Sequence, residues 1–285
     1  MGQEGRIMQN LIQNHLVQAF DWEIIEKPIF SNNRSLLGYK AIFRNDTGGL
    51  LNVAKNSYTP TPNARFIEVV ERMSEITGFP IRCYETFEGG KKVLAFLECT
   101  EKVQVQGYDF QDYMLIGNSH DSSTGFFIGN SSKMIRCSNR FSRVFRQLRV
   151  NHTRNHDGKI EQLIGYFETF MQERERLFSQ MESFAKVRID DSLKQALAER
   201  LAGMTRDERL GTKELSTRKE NIINSLWQSI DRECLALGDN LFGLFNGATH
   251  YTTHVKKVKE PIFGNALGSL ARINSDAFEF CEAHL

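Results

Sequence analysis

The residues best suited to chemistry lie between Gly117 and Arg154. From Lys133 to Arg154 the chain carries seven Lys/Arg and no Asp or Glu, although its formal net charge is only +1. These are Lys133, Arg136, Arg140, Arg143, Arg146, Arg149 and Arg154. An uncompensated cation run suits a polyanion, and the planar arginine fork donates two parallel hydrogen bonds to a phosphate. With Ser138 as cap, the run reads as a helix whose apolar face is Phe141, Val144, Phe145 and Leu148. The competing reading is a solvated face paired with glutamates of residues 161–182. The missing carboxylates favour phosphate, because structural faces usually interleave charge signs.

Just upstream lies the polar loop Asn118-Ser119-His120-Asp121-Ser122-Ser123. It could hold an acid–base or metal-binding pair, His120 and Asp121. The commoner use of such residues is a turn tied by side-chain-to-backbone hydrogen bonds. In an extended chain His120 and Asp121 point to opposite faces, which disfavours a dyad. His152/His156 and His250/His254 share a four-residue spacing, which places two rings on one face of a helix. Neither pair has the glutamate of the HExxH pattern, and His152 reads more simply as part of the basic surface. No phosphate-binding loop, dinucleotide fingerprint or nucleophile elbow is present. The sequence assigns no catalytic residue, no metal and no cofactor.

These residues need elements to position them. Residues 1–21 read as an N-terminal helix or arm. Residues 22–150 read as an antiparallel α+β domain. WEIIEKPIF is an edge strand, because of Pro28. GYKAIFRN and LLNVAKN form a hairpin, IRCYETF and KKVLAFLEC a second, and YDFQDYMLIGNS and TGFFIGN two more strands, with KMIRC closing the sheet. Ala64–Thr77 is helical, with Asn63 as N-cap and Gly78 as stop. Residues 151–285 read as a helical region, sharing a core with the first or not. Its helical stretches are 159–187, 193–201, 216–237, an aromatic stretch interrupted by Gly243 and Gly247, and a last one from Asn265.

Composition is that of a soluble globular protein, at 40% hydrophobic and 25% charged residues. No apolar run is long enough for a bilayer, and the N-terminus lacks a signal-peptide stretch. Five scattered cysteines without a CxxC fit a reducing compartment and buried thiols. No membrane partner is expected.

Several motifs, in order, resemble the phage- and plasmid-related family called domain of unknown function 932. They are Arg44, Asp46 and Tyr58, then the box Asn118-Ser119-His120-Asp121-Ser122-Ser123. Ser122 stands there where the family usually has glycine. Arg136-Cys137-Ser138-Asn139 follows, one residue shorter than the family spacing, then His152-Thr153. Asn240, Asn246, Thr249, Tyr251 and His254 come last, before IFGNALGSLA. The resemblance implies a mobile-genetic-element origin, a host cytoplasm and no settled activity. The strand–helix outline is also similar to phage single-strand annealing proteins.

The fold class expected is α+β: an antiparallel sheet with packed helices, then a helical second half. The function expected is sequence-independent binding or annealing of single-stranded DNA through an Arg-rich helix face, with self-association. The alternatives are a metal-dependent hydrolase of nucleic acid around His120, Asp121 and His152, or a module that binds a host or phage protein.

Overall fold

A computed structural model describes residues 20–32 and 34–285. Most of the N-terminal arm or helix expected over residues 1–21 lies outside the described residues. The chain is α+β, and its strands are β1 Ile24–Ser31, β2 Arg34–Arg44, β3 Leu50–Lys55, β4 Ile81–Phe87, β5 Lys92–Glu98, β6 Val103–Val105, β7 Tyr108–Ser119, β8 Phe126–Met134 and β9 Arg140–Val150. The helices are α1 Asn63–Thr77, α2 His156–Ile164, α3 Phe167–Phe184, α4 Asp191–Leu201, α5 Arg206–Arg209, α6 Thr217–Leu237, α7 Leu241–His250, α8 Pro261–Ala266 and α9 Ser269–Glu282. None of the described helices is long and apolar enough to cross a membrane.

Two sheets form, ordered β1-β2-β3 and β4-β5-β7-β8-β9, with β6 beside β7. Both expected hairpins are present: β2 pairs β3 and β4 pairs β5, antiparallel. β1 is an edge strand, and its register shifts between Pro28 and Phe30, where proline cannot donate to a ladder.

The chain divides into two compact units, each gathered from three stretches. The first takes residues up to 101, then 113–130 and 144–173; the second takes 102–112, 131–143 and 174–285. The change from strand to helical periodicity near residue 150 is thus not where these units part. Of the five divisions, three fall inside β7, β8 and β9, one inside α3 and one between β5 and β6.

In the first unit α1 buries Phe66, Val69, Val70 and Met73, the residues its periodicity singles out. They pack with Val93, Ala95 and Leu97 of β5, Met114 and Ile116 of β7, and Ile160 and Leu163 of α2. Gly78 ends α1 at φ 70, a conformation that favours glycine. Asn63 is not the cap, however. Pro62 occupies that position, and the Asn63 side chain turns elsewhere.

In the second unit Leu177, Phe178 and Met181 of α3 share a core with Ile223, Leu226 and Ile230 of α6 and Phe242 and Phe245 of α7. α7 runs straight through Gly243 and Gly247, which were expected to interrupt it. A side chain at Gly247 would overlap the Ile230 backbone, so both glycines serve close helix approach. The stretch expected as one helix over 159–187 breaks at Gly165 and Tyr166 into α2 and α3.

The main correction concerns the basic run. Residues 140–150 are a strand, not a helix. Ser138 sits at φ 60, and Ser138 N–H donates to the Met134 carbonyl at 2.9 Å while Met134 N–H donates to that of Asn139 at 3.0 Å. This tight turn sends the chain back into the sheet, where Phe141, Phe145, Leu148 and Val150 are buried. KMIRC does not close the sheet either. Its first residues finish β8, the rest form the turn, and β9 takes the edge.

Candidate nucleic-acid interface and buried polar site

Along β9, Arg140, Arg146 and Arg149 are exposed, as is Arg154 in the segment that follows. No ion pair engages these four, Lys133 or Arg136 among the described residues. Arg136 donates to the Tyr108 hydroxyl at 2.9 Å and lies over its ring. Arg143 is different. Its guanidinium sits 4.7 Å from the Phe278 ring centroid and 3.8 Å from a Glu282 oxygen. Arg143 therefore belongs with the packing of the second unit. Arg146, Arg149 and Arg154 lie in the first unit; Lys133, Arg136 and Arg140 lie in the second.

The polar loop sits in the first unit and does two separate things. Asn118 and His120 are both fully buried and share one face of β7 and its extension. His120 Nε2 lies 3.0 Å from Asn63 Oδ1, while Asn63 Nδ2 donates to the Trp22 carbonyl at 3.2 Å. The Trp22 ring packs edge-on against His120, with centroids 5.5 Å apart, and carries the Arg44 guanidinium at 4.3 Å. Arg44 in turn donates through Nε and Nη2 to both oxygens of Asp46, at 2.9 and 2.6 Å, and through Nη1 to the Gly89 carbonyl at 3.1 Å. Asp46, Arg44, Trp22, His120 and Asn63 thus form one continuous column. Arg44 holds the Asp46 carboxyl down to about 2, and burial pulls the His120 imidazole down to about 3. His120 is neutral at pH 7.

Asp121 faces the other way, as alternation requires. It accepts from Ser123 N–H at 3.0 Å and lies 3.1 Å from Lys92 Nζ. Burial pushes its carboxyl up, but Ser123 and Lys92 outweigh that and hold it low. Ser122 adopts φ 62, so the position keeps the left-handed turn that glycine favours. Its hydroxyl accepts from Asn52 Nδ2 at 2.6 Å.

His152 closes the site. Its Nδ1 is 3.2 Å from Thr61 Oγ1, and its ring packs edge-on against Tyr58 at 5.4 Å and His156 at 5.6 Å. The Tyr58 hydroxyl donates to the Ser119 carbonyl at 3.0 Å, and Asn118 Nδ2 to the Thr61 carbonyl at 3.2 Å. Burial draws His152 down to about 4, with His156 and Arg149 adding to the fall and Ser119 opposing it. Four buried atoms here have no hydrogen-bonding partner among the described residues: Trp22 Nε1, Asn118 Oδ1, His120 Nδ1 and His152 Nε2. Among the described residues no group of three or more His, Cys, Asp and Glu side chains could hold a metal ion.

The remaining motif residues tie the second unit together. His254 Nε2 is 2.9 Å from the Cys137 carbonyl and 3.1 Å from Asn139 Oδ1. Asn139 donates to the Asn246 carbonyl at 3.4 Å, and Thr249 to the same carbonyl at 2.9 Å. The spacing of His250 and His254 does bring their rings together, 5.0 Å apart and tilted by 45°. The backbone of Arg140 is fixed from both sides, by Thr253 Oγ1 at 3.1 Å and Asn274 Nδ2 at 3.2 Å.

Trp22, Thr61 and Lys92 carry parts of the site that sequence reasoning missed, and Asn63 entered it only as a helix cap. A tryptophan near an edge strand and an asparagine opening a helix have ordinary structural uses, so nothing local marked them.

Comparison with curated proteins and with solved structures gives no match. Residues 50–272, more than half of the chain, match the family described as Domain of unknown function (DUF932). The match takes in β3 with Tyr58, the polar loop, β9 and the ties around Asn246 and His254, and the chain belongs to that family.

Proposed function

We propose that this protein binds nucleic acid, single-stranded DNA foremost, through arginines of β9 and the segment after it, in the DNA metabolism of a phage or plasmid. The observation that carries this reading is the state of Arg140, Arg146, Arg149 and Arg154. All four are exposed and free of carboxylate partners among the described residues, although the chain holds 35 Asp and Glu. Exposed, unneutralised guanidinium groups retain their full attraction for phosphate, and arginine is the cation best shaped for it. The correction from helix to strand does not remove that support. Exposure and the lack of carboxylate partners among the described residues carry it, although a regular strand turns residues three apart to opposite faces.

Such binding is dominated by phosphate contacts. It shows little sequence preference and falls steeply with salt. The direct test is binding of the purified full chain to single- and double-stranded oligonucleotides across a salt series. Saturable binding to single strands with a linear log–log salt dependence is the expected result. Absence of binding at low salt overturns the reading.

A further inference from the structure

The segments that follow β3, β7 and β9 converge in the first unit on an open cleft of about 440 Å³. Ala54, Lys55, Ser57, Tyr58, Ser122, His152, Thr153 and Arg154 line it. Three features of this lining point the same way. It has two cations, Lys55 and Arg154, that form no ion pair among the described residues, and it has no carboxylate. It has four hydroxyls, on Ser57, Tyr58, Ser122 and Thr153. It also has the rings of Tyr58 and His152, packed edge-on against each other, as one wall.

Cations and hydroxyls around one cavity without a carboxylate make a receptor for a compact anion with several acceptor oxygens. A phosphate monoester fits that description, and the cavity has the size of small-molecule sites, which begin near about 300 Å³. We propose that this cleft binds a phosphate monoester of the nucleotide class. Lys55 and Arg154 flank the phosphate, the serine and threonine hydroxyls donate to it, and the Tyr58 and His152 rings form the apolar wall. The monoester has two possible sources, a free nucleotide or the phosphorylated end of a strand. For the second source the inference rests on the nucleic-acid reading; for the first it does not.

The test titrates the full chain by calorimetry with inorganic phosphate, deoxythymidine monophosphate and thymidine. Oligothymidylates of about ten nucleotides, with and without a 5′-phosphate, form two further arms. Amide NMR shifts of Ser57, Ser122 and Thr153 locate the site. The expected result is binding of the monophosphate but not of thymidine, shifts at those amides, and affinity lowered roughly tenfold by Lys55→Ala, with Ser57→Ala as a second, milder variant. No saturable binding of phosphate or monophosphate, or binding that ignores Lys55→Ala and shifts other amides, overturns the proposal. If the monophosphate binds while no oligonucleotide does, the nucleic-acid reading fails and the cleft stands with a free nucleotide. If the 5′-phosphate strengthens oligonucleotide binding and Lys55→Ala abolishes the gain, the strand end is the source.

Discussion

Asn63 sets the protonation of His120. Its Nδ2 is committed to the Trp22 carbonyl, so Oδ1 must be the atom 3.0 Å from His120 Nε2, and Nε2 must carry the proton. Nδ1 is left as an acceptor without a donor among the described residues, in a fully buried ring. One amide thus chooses the tautomer at the centre of the family's polar box.

Asn63→Ala strands both of its partners in the interior. An unsatisfied buried polar group costs about 1–3 kcal/mol, so the variant should lose about 2–4 kcal/mol. Urea unfolding followed by far-ultraviolet dichroism measures this. A loss below roughly 1 kcal/mol would mean that the amide is dispensable.

Acid should weaken the fold through its buried imidazoles. Burial holds His120 near 3 and His152 near 4, against 6.5 for the free side chain. Between those limits the unfolded chain binds protons that the native chain refuses, so stability falls as pH falls from about 6.5 toward 4 and is level above about 7.5. The full slope is about 1.4 kcal/mol per pH unit for each histidine. Glu71, Glu85 and Glu233, all raised by burial, oppose this at the acid end because the native state takes their protons first. Unfolding midpoints across a pH series should show the slope, and His120→Asn should make it shallower.

The arginines of β9 should not behave alike. Replacing Arg146 and Arg149 with alanine should lower the salt slope of single-strand binding by about one to two units while leaving unfolding unchanged. Arg143→Ala should do the reverse, since Arg143 lies over Phe278 and beside Glu282. A stability loss of about 0.5–1 kcal/mol with little change in salt slope is expected. Equal effects of all three on the slope would contradict the assignment.

Ser122 gives a check on the turn. At φ 62 a β-branched residue is strained, so Ser122→Val should cost about 1–2 kcal/mol. Ser122→Gly relieves the backbone but loses the hydrogen bond from Asn52, two effects of about 1 kcal/mol with opposite sign. Thermal unfolding of the pair should therefore rank glycine near wild type and valine clearly below it.

Much of this molecule was legible from residue patterns, and the misses share a cause. α1 declared itself because Phe66, Val69, Val70 and Met73 repeat at helical steps, and β7 because its apolar run stops at a polar loop. β9 misled because Phe141, Val144, Phe145 and Leu148 also satisfy a helical period. The turn at Ser138 and the place beside β8 decide the matter, and both are set by long-range pairing. Gly243 and Gly247 looked like breaks because single-sequence reading cannot see Cys234 and Ile230 on the neighbouring helix. The polar column was half visible: Arg44, Asp46 and His120 came from the family motif, while Trp22 and Asn63 acquire meaning only when the fold brings them together.

The interleaving of the two units through β7, β8 and β9 also bears on heredity. A gene cut at any point between residues 102 and 173 separates stretches that belong to one unit: severing after residue 150, for instance, strips Ile160, Leu163 and Phe170 from the first unit. Neither unit therefore corresponds to a continuous half of the chain, and neither could be inherited as a separate contiguous segment.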